Sequence, residues 1–173
     1  DVDEILNPHK IKESKQIISK MGYVVFLQKF YYYYLNGYIH DHWQGTIGCN
    51  YKTLISMFEC KLDSVRRLSN MKLKILNKLK IKNHFFIKDA GWHFSYLGGV
   101  EKIIEKMQST PHTEFSSNIE IDKEKIKSYI HNGNDVFNRK DIKISFIEID
   151  NTFPRIIYDN LDKYDHLIMN LKD

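Results

Sequence analysis

The chain has 173 residues, 42% hydrophobic and 28% charged, with a net charge of +4. That balance fits one globular domain over residues 1–173 with a core of its own, and no run is apolar enough for a transmembrane helix or a signal peptide. The mild basicity comes without a nucleic-acid-binding motif, so it points away from nucleic acid and suits an anionic small partner such as a nucleotide diphosphate.

The chain opens Asp1-Val2-Asp3-Glu4-Ile5. In an extended stretch Asp1 and Asp3 point the same way, because side chains alternate along a strand. Two hard oxygen donors then lie side by side, a pair suited to Mg²⁺ or Mn²⁺, which keep positions open for substrate phosphates. The plainer reading is a solvated acidic stretch. Such a carboxylate pair usually ends a strand and none precedes it here, so the chain is expected to begin inside a fold. Asn7-Pro8 reads as a helix start, with Ile11, Ile18 and Met21 as its buried stripe and Gly22 as its stop. Tyr23 to Gln28 and Phe30 to Leu35 read as two strands. The run Tyr31-Tyr32-Tyr33-Tyr34 fits a strand covered on both faces or, more sharply, an aromatic shelf for an acceptor.

Asn36 to Gly45 reads as a loop, carrying His40-Asp41-His42-Trp43, whose His-x-His pair is a weak metal signal. A short strand is expected at Thr46 to Cys49. A helix follows over Tyr51 to Phe58, with Leu54, Ile55 and Phe58 on one side. Cys49 and Cys60 form neither a disulfide framework nor a zinc spacing. Lys61 to Lys82 is strongly basic with leucines threaded through it. A solvated amphipathic face is its default reading, an anionic ligand or membrane surface the sharper one. Strand character returns over Asn83 to Lys88. Asp89 to Gly99 is then dense in glycine and aromatics around His93, and its glycines allow a backbone to approach a ligand closely.

Gly99 to Met107 reads as a helix with Ile103, Ile104 and Met107 inward, and Thr110 to Phe115 as a polar loop. Asp122 caps a helix reaching Asn132, ended by Gly133. Ile142 to Ile149 alternates like a strand. Pro154 to Leu171 reads as a helix with Ile157, Leu161, Tyr164 and Ile168 on one face.

Three stretches occur in order: Asp1-Val2-Asp3-Glu4-Ile5, Trp43-Gln44-Gly45-Thr46 and Gly91-Trp92-His93-Phe94-Ser95. Together they resemble glycosyltransferase family 17, the N-acetylglucosaminyltransferases that add the bisecting β1,4-linked GlcNAc to N-glycans, with their bacterial and viral relatives. The closing segment, with Tyr158, Asn160, Tyr164 and His166, is similar to the end of that family's catalytic region. Leu6 stands where the family has Pro, and Pro111-His112-Thr113-Glu114-Phe115 where bacterial-type relatives have Ser-His-x-Glu-Phe. The resemblance implies an α/β fold of GT-A type: a mixed sheet flanked by helices, whose nucleotide-binding βαβ half precedes this chain.

The resemblance further implies an inverting, metal-dependent transfer of GlcNAc from UDP-GlcNAc to a glycan hydroxyl. Asp1 and Asp3 would hold Mn²⁺ or Mg²⁺ across the diphosphate, with His93 as a third metal or phosphate contact. The general base would be a carboxylate: Glu114 first, then Asp89 or Glu4. Trp92 and Trp43 would stack on sugar rings or pack, and Arg139 would offer a fork to phosphate. A membrane anchor would lie outside this chain. The compartment would be cytoplasmic for a microbial or viral source and the Golgi lumen for a eukaryotic one. A non-catalytic saccharide- or nucleotide-binding protein is the alternative.

Overall fold

The structure, a computed structural model, describes residues 2–61, 86–109, 122–137, 139 and 141–170. The described chain is α/β, with mixed strand pairing and flanking helices. It divides into two compact units: residues 1–29 with 42–93, and residues 30–41 with 94–173. Among the described residues no helix is long and apolar enough to cross a membrane.

In the first unit, β1 (Glu4–Leu6) leads into α1 (Pro8–Met21). Asn7 accepts a hydrogen bond from the His9 N–H, Pro8 occupies the first helical position, and Gly22 closes the helix at φ 86°. The buried stripe differs from the expected one: Ser14 is buried and Ile17 and Ile18 half-buried, while Ile11 and Met21 are 41% and 42% exposed. Ser14 satisfies its hydroxyl on the Ile11 carbonyl at 2.7 Å, so this small side chain can take the innermost position without a polar penalty.

Behind the helix, β2 (Tyr23–Phe26) is the middle strand of three. It pairs antiparallel with β5 (Ile47–Cys49) and parallel with β6 (Phe86–Ile87). All four of its residues are buried, as expected for a strand covered on both faces. Val24, Phe26, Ile87 and Ala90 form a core to which Leu6, Ile17 and Ile18 add. Asn50 caps α2 (Tyr51–Phe58) by accepting from the Thr53 N–H at 2.8 Å. Of the three residues expected on one buried side, Phe58 is buried, Leu54 is half-buried, and Ile55 is exposed.

The division between units runs through β3 (Gln28–Tyr32), β4 (Gly37–Trp43) and β7 (Gly91–Ser95). In the second unit Tyr31 and Tyr32 point to opposite faces. Tyr31 packs among Phe94, Phe153 and Tyr38, and Tyr32 against Tyr96 and Tyr33. Tyr31, Tyr32 and Tyr33 are all buried, so an open aromatic shelf at these positions does not hold; the strand reading holds for Tyr31 and Tyr32, while Tyr33 and Tyr34, expected to continue it to Leu35, lie in the bend that follows. Tyr33 ends the strand in the left-handed region, φ 68°, with its hydroxyl accepting from the Val136 N–H at 2.9 Å.

The stretch read as a loop, Asn36 to Gly45, is largely strand β4. Its polar residues hid this, because a strand placed between two others, here β3 and β8 (Ile144–Phe146), gains backbone hydrogen bonds whatever its side chains are; β8 itself pairs with Gly37 to Ile39. Helices α3 (Gly99–Ser109) and α4 (Lys123–His131) set Ile103, Ile126 and Ile130 into a core with Tyr32, Tyr33, Ile39, Val136 and Ile144. Asp122 caps α4, accepting from the N–H groups of Glu124 and Lys125. The closing segment is not one helix but α5 (Arg155–Tyr158), α6 (Leu161–Tyr164) and a 3₁₀ turn (Asp165–Leu167). Asn36 holds the end of this segment, beyond the 3₁₀ turn. Buried at the hairpin turn, it donates to the Met169 carbonyl and accepts from the Met169 N–H, both at 2.9 Å, which pins that backbone in an extended form.

Candidate metal centre

In the first unit, β1 pairs antiparallel with β7, and the register sets Glu4 opposite His93, Ile5 opposite Trp92 and Leu6 opposite Gly91. Directly opposed residues of an antiparallel pair share a sheet face. Glu4 and His93 therefore meet on one face, and Trp92 belongs to the other. Val2 and Asp3 form a turn before the strand. The alternation argued for an extended Asp1–Asp3 pair does not operate at Asp3: the turn brings Asp3 beside Glu4 and His93 instead. His93 Nδ1 lies 3.8 Å from Asp3 Oδ1, and the His93 side chain is only 6% exposed.

One ligand atom each from Asp3, Glu4 and His93 lie within 4.8 Å of one another. An ion with ligand bonds of about 2.1 Å spans donor pairs up to about 4.2 Å apart, so sub-ångström shifts close this set around a divalent cation. Two carboxylates and an imidazole suit Mn²⁺ or Mg²⁺, with Mn²⁺ the more tolerant of the nitrogen ligand. The donor chemistry thus fits the metal that the sequence suggested, although the second described carboxylate is Glu4.

The surroundings of Glu4 are built. Trp43 Nε1 donates to Glu4 Oε1 at 2.8 Å, and Thr46 Oγ1 donates to Glu4 Oε2. The Trp43 indole lies over the His93 ring, centroids 4.2 Å apart and planes within 11°. In the sequence Trp43-Gln44-Gly45-Thr46 stands out through a family resemblance and Trp43 as a ring that could stack on a sugar. Its physical role, wrapping Glu4, depends on contacts that sequence spacing does not reveal.

The other expected site residues fall as follows. Asp1, Glu114 with its loop, and all but the first residue of the basic run 61–82 lie outside the described residues. Lys61, its first member, pairs with Glu59 at 2.7 Å. Asp89 is exposed on the turn after β6, at φ 51°, and is not in the Asp3–Glu4–His93 group.

Arg139 belongs to the second unit. Its Nε and Nη2 donate to the two carboxylate oxygens of buried Asp135 at 2.8 Å, and Nη2 also donates to Tyr32 Oη at 3.0 Å. That ion pair raises the guanidinium pKa further above its usual range. The expected phosphate fork is therefore already committed to a carboxylate. His40 and His42 are exposed on β4, and His40 Nε2 is 3.2 Å from Ser145 Oγ. No family model matches the chain, and neither a curated protein nor a solved structure is significantly similar to it.

Proposed function

We propose that the protein is a metal-dependent inverting glycosyltransferase of GT-A type that moves N-acetylglucosamine from UDP-GlcNAc to a glycan hydroxyl. One observation carries the reading. Two stretches far apart in sequence, the acidic opening and Gly91-Trp92-His93, meet through the β1–β7 register so that two carboxylates and an imidazole converge. These are two of the three stretches on which the family resemblance rests.

The reaction makes three demands. The acceptor oxygen bonds to the anomeric carbon as the bond from that carbon to the UDP oxygen breaks. The electron pair leaves on the diphosphate, and the hydroxyl proton passes to a base. A bound Mn²⁺ or Mg²⁺ supplies the positive charge that stabilises the departing diphosphate. Asp3, Glu4 and His93 would hold that ion; the strand pairing sets Glu4 opposite His93, and the turn before β1 supplies Asp3. Glu114 and Asp89 remain the proposed proton acceptors. The fork of Arg139 is left out of the reading because Asp135 occupies it.

The test is UDP release from UDP-GlcNAc with Mn²⁺ and a glycan acceptor, alongside calorimetric binding of UDP-GlcNAc. Release is expected to need the metal and to fall at least a hundredfold in Asp3→Ala and His93→Ala. Unchanged release in both variants would refute the site. Metal-dependent binding with no release under any acceptor would favour a non-catalytic nucleotide-sugar-binding protein.

A further inference from the structure

We infer that Trp43 is the positioning residue of this metal centre: with Thr46 it locks the Glu4 carboxylate and the His93 imidazole into the orientation that receives the cation. The inference rests on the reading of Asp3, Glu4 and His93 as metal ligands.

The geometry is specific. A carboxylate carried on two methylene groups swings freely unless its oxygens are held. Glu4 has both oxygens held, one by the Trp43 indole N–H at 2.8 Å and the other by the Thr46 hydroxyl. Each oxygen keeps a further lone pair, so the carboxylate is oriented without being saturated. The same indole lies flat on His93, 4.2 Å between centroids and 11° between planes. A ring nitrogen's lone pair lies in the ring plane, so stacking fixes its direction without covering it. Coordination makes the imidazole more cationic, which strengthens its attraction to the indole face.

Gly45 completes the arrangement. A Cβ there would collide with Glu4 Oε1 and Trp43 Nε1, so a side chain at this position would displace the hydrogen-bonded pair. A tryptophan that merely filled space would not need its N–H aimed at one ligand while its face covers another. Groups that orient metal ligands typically contribute about 10- to 100-fold to metal affinity.

The experiment is Mn²⁺ binding to this chain without nucleotide, followed by electron paramagnetic resonance, with the melting temperature of the metal-free protein measured in parallel. Trp43→Phe keeps a ring over His93 and deletes the donor. Thr46→Val deletes the other donor, and Thr46→Ser restores it. Weakening of about tenfold is expected in Trp43→Phe and in Thr46→Val, with Thr46→Ser near wild type and the metal-free melting temperatures little changed. Asp3→Ala and His93→Ala are expected to abolish binding.

Wild-type affinity in Trp43→Phe and Thr46→Val, with binding lost in Asp3→Ala and His93→Ala, would overturn the positioning role and leave the metal centre standing. A wild-type chain that binds no Mn²⁺ would overturn the metal centre itself, and the inference with it. If Trp43→Phe fails to fold, the Thr46→Val and Thr46→Ser pair decides: equal affinities overturn the inference.

Discussion

Gln28 is fully buried, and neither its amide nitrogen nor its carbonyl oxygen has a hydrogen-bond partner among the described residues. A buried amide left in that state costs about 1–3 kcal/mol. Gln28→Met, close in shape and without the amide, is expected to raise the urea midpoint by a corresponding amount at unchanged slope. A lower midpoint would show that the amide has a partner in solution. Asp135 presents the opposite case, a buried carboxylate whose two oxygens are both taken by Arg139. Sequence reading saw Arg139 as a candidate phosphate fork because an arginine's partner four residues away in a turn leaves no compositional mark. It set Glu4 among the candidate bases rather than beside Asp3 and His93 for a related reason: period-2 alternation favours positions 1 and 3, and a turn at Asp3 removes that period.

Among the elements, β1 and β7 matter most, because their register builds the site. Gly91 makes that pairing possible. Its φ is 150°, and a Cβ there would collide with the Ile5 carbonyl oxygen and crowd the Leu6 backbone. Gly91→Ala is therefore expected to separate the strands, abolishing Mn²⁺ binding and lowering the melting temperature by several degrees, about 1–2 kcal/mol for a chain of this size. Wild-type binding in this variant would mean that the three ligands do not depend on the strand pair.

The starts of α1 and α4 were legible, because Asn7 and Asp122 act on N–H groups within one turn of themselves; the breaks that divide the closing segment have no side-chain cap to announce them. The faces of α1 and α2 were less so. Spacing names several apolar residues, and only the neighbouring strands select which of them is buried, as Ser14 and exposed Ile55 illustrate. Strand β4 was missed because its exposed half reads as polar loop.

Across the molecule, each unit is assembled from separated stretches of chain and has its own core. The second unit buries a concentration of tyrosines with consequences for alkaline stability. Burial, the largest cause, pushes the Tyr31, Tyr32 and Tyr33 hydroxyls well above their ordinary pKa of 10.0. At Tyr31 the neighbouring Tyr38 and Asp150 add to the effect, and at Tyr32 Arg139 partly opposes it.

An unfolded chain ionises these groups near their ordinary pKa, while the folded one holds them neutral. Below that pH they leave stability unchanged. Above it the unfolded state binds fewer protons than the folded state, so stability falls as pH rises. A titration of tyrosinate absorbance is expected to show most tyrosines ionising reversibly and a final group ionising only as the circular dichroism collapses. Ionisation of every tyrosine with the fold intact would contradict the burial of this cluster.

The sequence by itself determined local parts: where the helices capped by Asn7 and Asp122 begin, where Gly22 stops the first of them, and that strand leads into the tyrosine run. Only the tertiary structure decided that Glu4 stands with Asp3 and His93, that Trp92 faces away, and that Trp43 covers the histidine. Caps and periodicities act within a turn or two of chain. Strand register is set by partners many residues distant, and a shift of one residue would send every side chain to the other face.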